Sequence, residues 1–592
     1  MLVRLLRYPA EIIFIVYLLC FLFLKTGDNP WERAIDSDGK GYYAYLPALF
    51  IYRDLEYNFV ESYERKYYPP DGSRFKDFRY EYKGERVNKT FSGLAILWLP
   101  FFLLAHTFSY LAGFETDGYS APYQYAIALA ALFYLWLGLK LLYRLLLRFE
   151  VPAIVSAFIL FCFAFGTNLF YFTIHAPSFA HVYNFTLITA FAWCLLNLLH
   201  RDHTKWLIWS SLLLGLIIAI RPTNGIIALV LPFLAGSPAG TIAFLRENFL
   251  KIQRFLAASL PAMLVLTIPV LLWYLQTGYF FVYSYGDERF DFSDPEIINN
   301  LFSYRKGLFV YTPLAFIAVL GLIPLFRQNI FRFAVMSALL FVIVYVISSW
   351  WCWWYGASFG QRAYIDYFSL FALLLGILFA SVSGKKWRVI LFACCLLTIP
   401  LNLIQTYQHK KGIVPDDKVT AEIYWDNFLL LEQRARVYVD QNEFSLVRER
   451  ISDCELHGDT INDPACSDSM AYNGKFAARV DRTIEYSAGI SGPLSTIEKE
   501  ASLLKVSAEL FCLEPSPEAK LVVQIDSAGV VKIYHAFSFA QYTEPKKWTH
   551  VEFSCHLPTP GSVDFLKVYL WNAGKRRIIY MDDLRVEFYR RL

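Results

Sequence analysis

Apolar runs of about 15 to 25 residues recur from Ile12 to Thr406 and then stop, and each is long enough to cross, as a helix, a hydrocarbon core about 30 Å thick. A chain with this pattern must satisfy its backbone polar groups within each run. Residues 1–406 are therefore expected to form a polytopic α-helical membrane domain. The runs fall at 12–25, 122–146, 154–172, 179–199, 206–220, 225–234, 255–276, 308–326, 333–349, 364–380 and 389–406, which makes eleven crossings. An apolar fraction of 56% and a charged fraction of 18% place the chain in the same class. The net charge of +4 is scattered among loops, which gives no support for a nucleic-acid partner.

Charge parity orients the spans. Short loops rich in Lys and Arg stay in the cytoplasm, so Arg4/Arg7, Arg144/Arg148, Arg201/Lys205, Arg246/Lys251/Arg254, Arg327/Arg332 and Lys385/Lys386/Arg388 are placed inside. The first run lacks a small-residue cleavage site at 21–25 and reads as a signal anchor with the N-terminus inside. Cys20 within it reads as a buried membrane cysteine rather than a lipidation site.

Two stretches need separate treatment. Residues 91–114 are also long and apolar, but a crossing there would invert every later basic loop. They are read as an interfacial or re-entrant helix inside a first outer loop, 26–121. Residues 206–234 form one apolar block broken by Arg221-Pro222-Thr223-Asn224, and are read as two short helices meeting at an outer turn. The chain after the last span then lies outside. Expected localisation is a multi-pass cell (inner) membrane, with loop 26–121 and the C-terminal domain on the outer, periplasmic face.

Several polar motifs converge on that face. Asp36-Ser37-Asp38-Gly39-Lys40-Gly41-Tyr42-Tyr43 opens the first outer loop. Asp38 is the candidate base, with Asp36 as its alternative or as a ligand for a divalent metal, and Gly39 and Gly41 allow close backbone approach to a ligand. A solvated turn capping the helix that starts near Tyr42 accounts for the same spacing. Arg221 and Arg362 are candidates to grip a phosphate through a planar fork, or to snorkel to the headgroups. Tyr42, His175, His181 and Gln361 complete the candidate substrate contacts. The two histidines match no familiar zinc spacing and also read as satisfied interfacial residues. The tryptophans of 350–354 read largely as an interfacial belt, and Asp287-Glu288-Arg289 as a solvated loop.

An acidic motif opening the first outer loop, an interfacial helix after it, many spans and an outer C-terminal domain together resemble the GT-C superfamily of polytopic membrane glycosyltransferases. Protein O-mannosyltransferases and lipid A aminoarabinose transferases belong to it. The resemblance covers about residues 1–406 and rests on this plan plus Asp38-Gly39-Lys40-Gly41-Tyr42. It implies a polyprenyl-phosphate sugar donor, an outer-face glycan, lipid or protein acceptor, and sugar transfer by inverting single displacement. By similarity, Asp38 would take the acceptor proton, and Arg221 and Arg362 would hold the donor phosphate. Many members carry a second acid beside the first, whereas Gly39 stands there and the second acid is Asp36, which leaves the division of labour and any metal requirement open. The sequence shows no P-loop or dinucleotide fingerprint that would point to a nucleotide sugar. The competing class is a membrane transporter or lipid flippase of the envelope glycan pathway, which would place ionisable groups near the midplane and show paired repeats.

After a linker at 407–436, residues 437–592 change to short alternating segments at 503–511, 520–525, 532–537, 549–555 and 565–571. Turns with Pro515/Pro517, Gly529 and Pro558/Pro560-Gly561 separate several of them, which reads as an antiparallel β-sandwich. Its last strands, through Asp582-Asp583, look like the end of a carbohydrate-binding jelly roll, and that aspartate pair is a candidate calcium site or a structural turn. Cys454 with Cys466 and Cys512 with Cys555 are the simplest disulfide pairs. Asn88-Lys89-Thr90 and Asn184-Phe185-Thr186 match the N-glycosylation pattern, the second by chance within a span.

Overall fold

A computed structural model describes residues 8–24, 34–68, 77–201, 203–411, 413–414, 417, 419–431, 444–452, 454, 465–514, 518–527, 530–539, 543–557, 564–573 and 577–591. Arg4, Arg7, Lys25 and the turn residues Pro515, Pro517, Gly529, Pro558, Pro560 and Gly561 lie outside the described residues. The chain divides into two compact units, a mostly helical one up to Leu429 and a β one from Leu430 onward.

Among the described residues, seven helices of the first unit are long and apolar enough to cross a membrane: Gly93–Ala112, Ala121–Arg148, His181–Arg201, Ile252–Thr277, Ile330–Ser348, Arg362–Ser381 and Lys385–Lys411. An eighth is reached if the pair Pro222–Ala235 and Pro238–Phe249, bent by 120°, is one span. Four of the expected crossings appear as shorter apolar helices, Pro9–Phe23, Ala153–Phe165, Thr204–Ile220 and Pro313–Gln328. The expected span 154–172 is interrupted. Its first helix ends at Phe165, and Thr167 and Asn168 are fully buried in the break before Leu169–Ile174. Thr167 Oγ1 donates to Phe163 O at 2.6 Å, and Asn168 Nδ2 donates to Phe359 O at 3.3 Å, so side chains take over from the lost helical bonds. Gly93–Ala112, expected to be interfacial, is a continuous 20-residue helix that meets the spanning length. At Arg221 the backbone is extended (φ −146°, ψ 104°) between Thr204–Ile220 and the 3-10 turn Pro222–Leu229, which is the break expected from Pro222.

The loop after the first helix folds on itself. β1 (Arg79–Tyr82) and β2 (Glu85–Asn88) form a hairpin whose two-residue turn, Lys83-Gly84, has positive φ at both positions, as a right-twisted hairpin demands. Part of the expected linker is structured. The last long helix runs to Lys411, and helix Ala421–Asp426 docks on it through Gln405 Nε2 to Tyr424 OH (2.9 Å) and through Gln408 Nε2 to Asn427 O (2.5 Å).

The second unit contains β3 (Phe444–Ser452), β4 (Cys466–Ser467), β5 (Ala477–Val480), β6 (Ile490–Pro493), β7 (Leu503–Cys512), β8 (Ala519–Ser527), β9 (Val530–Ser538), β10 (Trp548–His556), β11 (Asp564–Asn572) and β12 (Ile579–Arg591). One sheet has the order β10-β7-β12-β5-β4 with β3 also paired to β12; the other is β6-β11-β8-β9. Alternation decides which side chains meet. Val506, Leu510, Val586 and Phe588 of the first sheet and Val523, Ile525, Val568 and Leu570 of the second share one buried core, which makes the unit a sandwich. Cys454 and Cys466 are disulfide-bonded. The second expected pair is not formed: Cys512 and Cys555 are both free. Cys555 lies opposite Leu504 in the β10–β7 register, so eight residues of strand, roughly 27 Å, hold it from Cys512. Asp582 is buried and its Oδ2 accepts from the amides of Tyr472 (2.8 Å) and Asn473 (3.1 Å), the arrangement of a structural turn.

Candidate functional site

The acidic motif forms the start of helix Asp38–Pro47, and every side of that helix except its N-terminus is fixed. Lys40 is buried, paired with Glu64 at 2.8 Å and seated over the Tyr68 ring at 3.7 Å. Tyr43 OH donates to Gly118 O (2.5 Å), and Tyr45 OH to Thr90 O (2.7 Å). Asn88 Nδ2 donates to Gly41 O (2.8 Å) while its Oδ1 accepts from Thr90 N and Oγ1. Asn88 is therefore a buried brace for the motif and presents no amide for a glycan; Asn184 is likewise buried, donating to Asp366. The close approach expected of Gly39 and Gly41 is made to protein: Gly39 packs on Ser178, and Gly41 on Thr90 and Phe78.

The two aspartates are used differently. Asp36 Oδ1 accepts from the Ser37 amide (2.7 Å), and its main chain exchanges contacts with Ser178 Oγ at 3.2 and 3.3 Å. Ser37, with φ 52°, turns the chain so that the next carboxylate stands at the helix N-terminus, where the helix dipole favours negative charge. That carboxylate is Asp38, and Arg362 Nη2 meets its Oδ2 at 2.8 Å. Arg362 also lies over the Phe179 ring at 4.8 Å, and its Nε is buried and finds no acceptor among the described residues.

Arg221 stands at the helix break and packs over the Tyr355 ring at 5.6 Å. Its Nη1 approaches Asp366 Oδ2 at 3.4 Å. Asp366 is fully buried and also accepts from His181 Nδ1 (2.7 Å), Asn184 Nδ2 (3.1 Å) and Asn224 Nδ2 (2.6 Å). His181, expected to contact substrate, is thus buried and engaged by Asp366. Tyr42 lies among all four charged groups. Burial pushes its phenol up to about 12, with Arg221 and Arg362 pulling it down and Asp38 and Asp366 adding to the rise.

The loop 283–289 is held by contacts to neighbouring segments. Tyr285 packs on Phe91 (6.1 Å) and edge-on to Trp350 (5.7 Å), Glu288 is ion-paired with Lys89, and Arg289 O accepts from Trp351 N (3.1 Å). The Asp287 and Arg289 side chains are exposed, as expected of a solvated loop, while Glu288 is tied down by Lys89. Of the four tryptophans Trp353 is buried, Trp350 and Trp354 are half-buried, with Arg305 3.6 Å over the Trp354 ring, and Trp351 is exposed. Gln361 is buried and donates to Trp353 O (2.7 Å), so it braces the loop. His175 packs on Phe170 and Tyr171.

Among the described residues no three His, Cys, Asp or Glu side chains gather as a metal-ligand set. The donor set at the acidic loop is that of a carboxylate–guanidinium pair, which does not fit a divalent cation. Sequence reasoning does not single out Asp366 or Asn224, whereas Tyr285 and Tyr355 lie in loop motifs that it places on the outer face. An acid inside the apolar run 364–380 was the signal available for Asp366, because such a residue is costly there unless it is paired.

The chain matches no protein-family profile and no curated protein sequence. Among solved structures, the arabinosyltransferase EmbB from Mycobacterium smegmatis is similar at 11% identity and a TM-score of 0.38, over 98% of this chain and 64% of that one. A family 16 carbohydrate-binding module is similar at 15% identity and a TM-score of 0.16, over 20% of this chain and 82% of that one. The CBM22-1 xylan-binding domain of Paenibacillus barcinonensis Xyn10C is similar at 14% identity and a TM-score of 0.16, over 25% and 86%. These likenesses are too distant to assign a role to any residue.

Proposed function

We propose that the chain is a multi-pass membrane glycosyltransferase that moves a sugar from a polyprenyl phosphate to a hydroxyl of a glycan, lipid or protein on the outer face. The observation that carries this reading is the Asp38 carboxylate, about a quarter exposed and held by Arg362 at 2.8 Å, with a second arginine, Arg221, anchored by Asp366 and the Tyr355 ring. A carboxylate and two guanidiniums are what displacement from a phosphate ester needs: one group to accept a proton and a cationic cradle for the leaving dianion.

In the proposed step the acceptor O–H transfers its proton to Asp38 as its oxygen forms a bond to the anomeric carbon. The bond from that carbon to the phosphate oxygen breaks, and polyprenyl phosphate leaves with the electron pair. One displacement inverts the anomeric centre. Arg362 orients Asp38, and the planar fork of Arg221 holds the phosphate. No step runs through a metal. The test is transfer from radiolabelled polyprenyl-phosphate pentoses and hexoses by purified protein in nanodiscs. We expect donor-dependent product from wild type and none from Asp38→Asn at unchanged thermal stability. Full turnover by Asp38→Asn refutes the assignment, and a flippase yields no product with any donor.

For the β unit we propose carbohydrate binding on the outer face of the four-stranded sheet. Ser491, Lys567, Gln524 and Tyr534 lie in register across its four strands. Tyr486, Ser491, Gln524, Lys567 and Tyr569 line a groove of about 340 Å³. Tyr486 and Trp571 are parallel to within 7°. Flat rings interleaved with amide and ammonium groups suit a sugar, which presents both C–H faces and hydroxyls. Hexasaccharides of glucose, xylose, mannose and arabinose should include at least one ligand for the full chain by calorimetry, and Tyr569→Ala should abolish that binding.

A further inference from the structure

The first unit holds two arginine–aspartate pairs, Arg362–Asp38 and Arg221–Asp366, and burial separates their roles. Asp38 keeps about a quarter of its side chain exposed, whereas Asp366 has none. A base must reach substrate, so Asp366 is no base. It is, however, a well-anchored buried carboxylate, with three donors from two other elements: His181 and Asn184 on one helix and Asn224 on the turn after Arg221. Asn224 is held in turn by Tyr367 OH, which donates to its Oδ1 at 2.9 Å. A carboxylate on which several side-chain donors converge holds those side chains in place. Arg221 projects from a helix break with extended backbone, where nothing in the local chain fixes its fork. What fixes it is Asp366, at 3.4 Å from Nη1, and the ring of Tyr355.

We propose that Asp366, locked by His181, Asn184 and Asn224, is a positioning residue that sets the Arg221 guanidinium toward the phosphate of the lipid-linked ligand. Its carboxylate acts through Arg221 and never touches substrate. This rests on the donor reading given above for Arg221. Phe179 stacks on His181 (6.4 Å, 18°) and lies under Arg362 (4.8 Å), so one ring packs against both the His181–Asp366 pair and the Arg362 guanidinium.

The sign of the effect distinguishes positioning from simple electrostatics. A carboxylate next to a phosphate site repels the ligand, so its removal would tighten binding if charge alone mattered. Positioning predicts the opposite. The test uses the full chain in nanodiscs and farnesyl phosphate as probe, read by calorimetry. Asp366→Asn, which preserves shape, should weaken binding about ten-fold, the order expected for losing one ion-paired contact that orients the fork. Arg221→Ala should weaken it similarly, and the double variant no further than Arg221→Ala alone, because the first residue acts through the second. If Asp366→Asn fails to give a monodisperse, cooperatively melting protein, Asn224→Ala takes its place, with a loss of about three-fold that again vanishes in the Arg221→Ala background. Additive losses, unchanged affinity or tighter binding would overturn the proposal, as would a wild type that does not bind farnesyl phosphate. Coupled binding losses in a protein that transfers no sugar would uphold this inference while the transferase reading fails.

Discussion

Gly39→Ala tests the geometry of the acidic motif without touching a charged group. A Cβ at position 39 would stand 2.0 Å from Ser178 Oγ, 2.3 Å from its Cβ and 2.9 Å from its carbonyl oxygen. Rotating the Ser178 hydroxyl relieves only the first of these. To bring the two Cβ atoms to 3.4 Å, where ordinary contact begins, the helix start and the Ser178 segment must part by about 1 Å. Asp38 is the neighbouring residue and moves with the helix, which stretches its 2.8 Å contact with Arg362 beyond hydrogen-bond range. Overpacking of this kind costs about 1–3 kcal/mol of stability. A displacement of about 1 Å at a reacting group costs roughly a hundred-fold in rate. The assay is donor-dependent sugar transfer beside thermal unfolding, and the rate should fall far more than the stability. Adding Ser178→Gly removes the two nearest atoms and leaves the carbonyl at 2.9 Å, so activity should partly return. Wild-type transfer by Gly39→Ala would show that the contact with Ser178 does not place Asp38.

Arg362→Lys keeps the positive charge beside Asp38 but loses the planar fork, and kcat/KM for the lipid-linked donor should drop about ten- to hundred-fold while protein abundance stays unchanged; parity with wild type would leave the fork without a role. In the β unit, Glu498 is buried, and although burial alone would raise its pKa, Arg450 (2.6 and 2.5 Å) and the Ser495 amide (2.6 Å) hold it down at about 2. Because the folded value lies below the unfolded one, its contribution, roughly 3 kcal/mol at most, is complete above about pH 4.5 and lost as pH falls toward 2. Glu498→Gln should flatten the stability of the full chain's β-sheet signal across that window, and an unchanged acid limb would contradict the assignment. Cys454→Ser should lower stability of the β unit by about 3 kcal/mol, the loop-closure value for a short loop, with reductant having the same effect on wild type in denaturant titration.

Much of this was legible in the chain because it is local. A helix rises 1.5 Å per residue and a strand alternates every second residue, so the apolar runs and the segments of β7 to β11 locate themselves. The same holds for the break at Pro222. The disagreements arise where the partner is distant. Nothing near 154–172 announces that Asn168 bonds Phe359, 191 residues on, and so interrupts the span. Cys512 and Cys555 look pairable by count, and only the strand register separates them.

The sequence by itself determined that a membrane-helix region precedes a β-sandwich and that an acidic, glycine-flanked motif opens the first loop. It did so because solvent preference and backbone period are properties of contiguous residues. The tertiary structure decided what each polar residue does. It separated Asp38, which faces Arg362, from Asp36, whose carboxylate serves its own turn. It turned Asn88 and His181 from candidate surface groups into buried braces. It also gathered around Asp366 partners 142 to 185 residues away. A buried charge persists only where several donors converge on it, and that convergence belongs to the packing of helices rather than to any one segment.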